Sequence, residues 1–161
     1  MNYLKGYPAE LIRQVEQLHA EGKLTALMQK RYPDGHQLKS DKELYNYTNE
    51  LKQRFLKNAQ PLSKVVYDSK ISMKNQALGL HTFAVRMQGK RLKSKNEIRI
   101  SSAFKHMPEP FLRLVVVHEL AHLKEKEHNK AFYKLCQHME PNYHQLEFDM
   151  RICLSINLTI N

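Results

Sequence analysis

Val115-Val116-Val117-His118-Glu119-Leu120-Ala121-His122-Leu123, running on through Lys124-Glu125-Lys126-Glu127 to His128-Asn129, is the stretch on which the fold of this chain turns. Its core, His118-Glu119-Leu120-Ala121-His122, is an HExxH pattern. Residues four apart on a helix lie one above the other, so both imidazoles reach one ion only if this segment is helical. Glu119 is rotated roughly 100° from His118. It does not share the coordination sphere easily, but it reaches a water that the ion carries, as a general base would.

The flanking residues make the helix a buried one. At helical period Phe111, Leu114 and Val115 flank the two histidines, and Leu112, Val116, Leu120 and Leu123 cover the opposite side. A helix apolar almost all round belongs in a core. Two imidazoles there need partners for their nitrogens, and one metal ion satisfies both. His128 supplies a third candidate ligand. A straight helix turns it away, so the sequence predicts a bend near Glu125 to Glu127, or a new helix at Asn129 that aims it back. Three protein ligands and an open position describe a catalytic zinc site. The expectation is therefore one Zn2+ ion on His118, His122 and His128, with Glu119 as catalytic base. Glu125, Glu127 or Cys136 as a fourth ligand would instead make a closed structural site.

Outward from this stretch the chain changes period. Pro8 to about Arg31 reads as helix, with Leu11, Ile12, Val15 and Leu18 on one face and Gly22 as a break. Tyr32-Pro33-Asp34-Gly35 reads as a turn. Asp41 is a candidate N-cap for a helix to about Asn58, with Leu44, Tyr47, Leu51 and Phe55 inward. Leu62–Tyr67, Leu78–Met87 and Glu97–Ser101 read as strands, with Gln88-Gly89-Lys90 a turn between the last two. Pro108 and Pro110 open the next helix, from about Phe111. Asn129 to Met139 is amphipathic through Ala131, Phe132, Leu135, Cys136 and Met139, Pro141 stops it, and a last helix runs from His144 to about Ser155. The fold class is α+β: a small, mainly antiparallel sheet packed on a buried HExxH helix, with N-terminal and C-terminal helices. Residues 1–60 form a helical region and 61–161 the metal-binding domain, expected to make one compact unit.

The chain has 161 residues and a net charge of +10. The surplus is uneven: residues 61–110 carry 10 basic and 3 acidic groups, whereas 111–161 carry 6 of each. Such a surface attracts acidic substrates or nucleic acid, although no nucleic-acid-binding motif accompanies it. Cys136 and Cys153 make no disulfide framework and read as reduced, buried thiols. No secretory signal is visible and the apolar run Leu112 to Val117 is too short for a membrane, so a cytoplasmic protein with no membrane partner is expected. His19, His36, His106 and His138 read as surface residues, His144 as a cap on the last helix, and His81 as a structural histidine in a strand.

The stretch Val115 to Leu123, followed by His128-Asn129-Lys130-Ala131-Phe132, resembles the YgjP-like metallopeptidase domain family, and Met139-Glu140-Pro141-Asn142-Tyr143 matches its usual ending. That family is similar to the SprT-like zincins. The resemblance implies a zincin-like fold, a single zinc, His118, His122 and His128 as ligands and Glu119 as catalytic glutamate. Many relatives carry Trp-Gly-Ser-Cys on a sheet strand where this chain has Leu78-Gly79-Leu80-His81. The ten-residue span of the outer histidines also matches metzincins, which place a glycine where Glu125 stands here. The function expected is a zinc-dependent metallopeptidase acting on a peptide or protein substrate. Tyr143 or Tyr133 is the candidate oxyanion stabiliser, and Ile98–Ala103 a strand on which an extended peptide would add. The alternative is a nucleic-acid-associated zinc module using the basic 61–110 region.

Overall fold

A computed structural model describes residues 1–71, 84–88 and 96–158. Six helices, α1 (Ala9–Ala20), α2 (Leu24–Arg31), α3 (Asp41–Phe55), α4 (Glu109–Ala121), α5 (Lys130–Met139) and α6 (Tyr143–Ser155), accompany three strands among these residues: β1 (Leu62–Asp68), β2 (Ala84–Gln88) and β3 (Asn96–Ser101). The class is α+β, as expected.

Gly22 does break the first helical stretch. With φ +71 it takes the left-handed turn that ends α1, and the Lys23 and Gly22 amides donate to the Leu18 and His19 carbonyls at 2.9 and 3.0 Å. This is the reciprocal C-terminal cap that glycine permits without steric cost. The cap of α3 is Ser40 rather than Asp41: its side chain accepts from the Glu43 amide, and Glu43 reaches back to the Ser40 amide. Asp41 does other work, accepting from the Tyr67 amide at 2.9 Å and so tying the start of α3 to the end of β1. Along α3 the fully buried positions are Leu44, Thr48, Leu51 and Lys52; Tyr47 and Phe55, expected inward, are half-buried.

The sheet corrects one expectation. Its order is β1-β3-β2, with β1 parallel to β3 and β2 antiparallel to β3, so it is mixed rather than mainly antiparallel. Alternating burial does not distinguish the two pairings, because side chains alternate faces in both. Ile98 and Ile100 point into the core, fully buried, while Glu97 and Arg99 are half-exposed, which is the alternation read from the sequence. Being central, β3 has both edges paired, so it does not offer an edge for strand addition by a peptide. The expected strand over 78–87 is represented by β2; residues 78–83, with His81, and the expected turn at Gly89-Lys90 lie outside the described residues.

α4 sits at the centre, against the sheet on one side and α6, α5 and α3 on others. Phe111, Leu112, Leu114, Val115, Val116, Val117 and Leu120 are at most 1% exposed, which explains why this helix is apolar around its whole circumference. The buried residues from Leu4 to Cys153 form one cluster around it. No helix among the described residues is long and apolar enough to cross a membrane.

Candidate metal centre

α4 ends at Ala121, with His122 as its C-cap. The chain then turns tightly, the Leu123 and Glu125 amides donating to the Leu120 and Ala121 carbonyls at 3.0 Å. The next helix, α5, is capped by Asn129, whose side chain accepts from the Phe132 amide at 2.8 Å. His128 therefore returns toward α4 because one helix stops and another starts beside it, not because a single helix bends. Of the two routes read from the sequence, the helix start is the one taken.

The result is a convergence of three imidazoles. Nε2 of His122 lies 3.3 Å from Nε2 of His118 and 3.0 Å from Nε2 of His128. Zinc–nitrogen bonds of about 2.0–2.1 Å in a tetrahedron place ligand nitrogens about 3.3 Å apart, so the spacing fits one ion of that size. The outer edges of the α4 rings are engaged elsewhere. Nδ1 of His122 lies 2.9 Å from the Glu125 carbonyl, which only accepts, so His122 carries a proton on Nδ1 and directs Nε2 at the other two rings. Nδ1 of His118 lies 2.8 Å from the Tyr143 hydroxyl. A shared proton bridges one of the close Nε2 contacts; a cation satisfies all three. Among the described residues these three side chains are the group that could hold a metal ion, and neither Glu125, Glu127 nor Cys136 belongs to it.

Phe132, fully buried, forms the floor. Its ring centroid lies 5.0, 4.5 and 4.9 Å from those of His118, His122 and His128. An apolar floor blocks side-chain rotation and keeps water from one face of the cluster. Burial then falls across the triad: His118 is buried, His122 half-buried and His128 exposed, so the site opens to solvent on the His128 side. Glu119, next to His118 on α4, is 3% exposed.

Several sequence assignments move. Tyr143 bonds to the Nδ1 edge of His118, the edge away from the converging nitrogens, which takes its hydroxyl out of position to stabilise an oxyanion at the ion. Burial drives its phenol far above the usual range, so it stays neutral. Tyr133 is half-buried, its ring 6.4 Å from that of His128 and 5.5 Å from that of His144. His144 lies within the first turn of α6, exposed, and Asn142 is the N-cap. His36 is buried, not surface: its Nε2 donates to the Phe104 carbonyl at 2.8 Å and its Nδ1 accepts from the Leu38 amide at 3.0 Å. Cys136 and Cys153 are free and buried, as read, and burial pushes both thiols up to about 12. Missed altogether was Phe132 as the floor of the site; read only as a core residue, its position four after His128 carried the signal.

Against known proteins, the family model described as "YgjP-like, metallopeptidase domain" matches residues 21–151. A curated relative from Escherichia coli (strain K12), named "UTP pyrophosphatase", is 57% identical over 155 residues, covering 96% of this chain and 93% of its own length. No solved structure matches the chain significantly.

Proposed function

Since the chain belongs to the YgjP-like metallopeptidase-domain family and is a hydrolase, we propose that it is a zinc-dependent nucleoside-triphosphate pyrophosphohydrolase acting on UTP. The observation that carries the chemistry is the meeting of three Nε2 atoms, at 3.0 and 3.3 Å from the central one. The substrate class is supported by the near-full-length likeness to a protein named for UTP. It also suits the basic surplus of 61–110, which would draw in a triphosphate.

His118, His122 and His128 hold the ion in this reading. A divalent ion there acidifies water and offsets negative charge on the scissile group. Glu119 takes the proton from the attacking water, whose oxygen bonds to phosphorus as the anhydride P–O bond breaks. UTP and water thus give UMP, pyrophosphate and one proton, which Glu119 passes to solvent. His122 keeps its lone pair on the cluster because the Glu125 carbonyl holds its Nδ1 proton. Phe132 limits water at the floor, and substrate approaches from the exposed His128 side. The zincin-like assignment of residues 61–161, with 1–60 as a helical region joined to it, and a cytoplasmic location belong to the same proposal.

Peptide-bond hydrolysis is the second reading, favoured by the metallopeptidase description of the matched domain. The same base and ion would serve attack on a carbonyl carbon. Nucleic-acid binding through the same basic region has less support, because neither the matched family nor the named relative is described by nucleic acid.

Purified chain loaded with zinc, manganese or magnesium should release pyrophosphate from UTP. Glu119→Gln should lower turnover roughly 10²–10⁴-fold while the protein retains its metal. UTP left intact with every metal, together with cleavage across a peptide panel, would replace the first reading by the second.

A further inference from the structure

His118 on α4 and His122 at its C-cap are anchored from behind by different chemistry. His122 is held by a backbone carbonyl, which fixes its proton on Nδ1 without ambiguity. His118 is held by a hydroxyl, which donates or accepts, so its tautomer depends on which way the Tyr143 proton points. The distance is 2.8 Å, and both partners are buried, His118 at 4% exposure and Tyr143 at 0%. Tyr143 stands at the start of α6, and 25 residues of chain separate it from His118, so the contact exists only because α6 packs on α4.

We propose that Tyr143 is a positioning residue that locks His118 in the Nδ1-protonated tautomer and so keeps its Nε2 lone pair aimed at the metal. The hydroxyl has one proton and two lone pairs. Cys136, Glu147 and Tyr133 are its other polar neighbours, and of these the Cys136 thiol is fully buried and hydrogen-bonds to the hydroxyl. With the Tyr143 proton directed at Cys136, a lone pair faces His118, and the Nδ1–H of His118 donates into it. The opposite arrangement would place a proton on Nε2 of His118, 3.3 Å from Nε2 of His122, and take one ligand out of the set. Partners on the far nitrogen are the usual means by which a protein orients a metal-binding imidazole and raises its basicity. Here that partner is a tyrosine on a separate helix rather than a carboxylate.

The inference rests on the metal-centre part of the proposed function and not on the choice of substrate. Competition titration with a zinc chelator should show Tyr143→Phe weakening zinc affinity roughly 10–100-fold. Tyr133→Phe, whose ring is near the site but whose hydroxyl does not meet His118, should change it by less than about threefold. Nitrogen-15 NMR of the chelated wild-type protein gives a test that needs no variant: the His118 ring should carry its proton on Nδ1, as the His122 ring does. An Nε2–H signal from His118, or Tyr143→Phe binding zinc as tightly as Tyr133→Phe, would overturn the assignment. Wild-type protein that binds no zinc would overturn the metal centre itself, which sets that failure apart.

Discussion

Asp149 on α6 and His118 on α4 are both nearly sealed from solvent, at 0% and 4% exposure, yet their polar atoms are satisfied in opposite ways. Asp149 is surrounded by donors: the Arg31 guanidinium at 2.8 Å, the Tyr32 hydroxyl at 2.6 Å and the Gln145 amide at 2.9 Å. Acceptor meets donors, and the cluster closes on itself, clamping α2 to α6. Around His118 the outer edge is closed in that manner by Tyr143. The inner edge faces the like nitrogens of His122 and His128. A buried carboxylate ringed by donors is architecture; three imidazole nitrogens brought together offer a set of like donors that a cation can bind.

Added metal should act on one of the two clusters and leave the other unchanged. The largest effect belongs to His122→Ala, which removes the central nitrogen of the three. Zinc affinity should fall by more than the roughly 10–100-fold that an outer-sphere change costs. The stabilisation that zinc gives the wild-type chain, about 2.7 kcal/mol at one hundred times the dissociation constant, should vanish from thermal melts. A variant that still melts higher with zinc would show that the nitrogens do not act as one site.

Asp149→Ala should behave in the reverse manner. It strands the buried Tyr32 hydroxyl and removes the partner of Arg31, so the apoprotein should lose about 1–3 kcal/mol in denaturant unfolding. Its zinc-induced rise in melting temperature should match that of the wild type. A lost zinc response would mean that the α2–α6 clamp also shapes the metal centre.

The smallest effect, about 1 kcal/mol, is expected for His36→Ala. This histidine is closed on both nitrogens by the Phe104 carbonyl and the Leu38 amide. Its loss should leave zinc affinity unchanged, marking it as a histidine of the architectural kind.

His36 also shows where sequence reading stops. It lies in a polar turn with Gly35 before it, which describes a surface residue, and only the approach of Phe104, 68 positions away, buries it. Tyr143 is a similar case. Its aromatic character suggested a role at the site, but the nitrogen it meets, and therefore the role, follows from how α6 lies on α4. Phe132 was legible as a core residue from the amphipathic pattern of α5, and its contact with all three imidazoles was not.

What the chain's own order of residues determined was local. Histidines four apart on an apolar segment require a helix, and that helix requires a core; Gly22 breaks the first helix and Asn129 starts α5, which aims His128. These follow from helical period and backbone sterics, which act between near neighbours. The parallel pairing of β1 with β3, the closure of both edges of β3, and the hydroxyl behind His118 were decided by packing alone. Such contacts join segments far apart along the chain, and no local periodicity records which element will lie beside which.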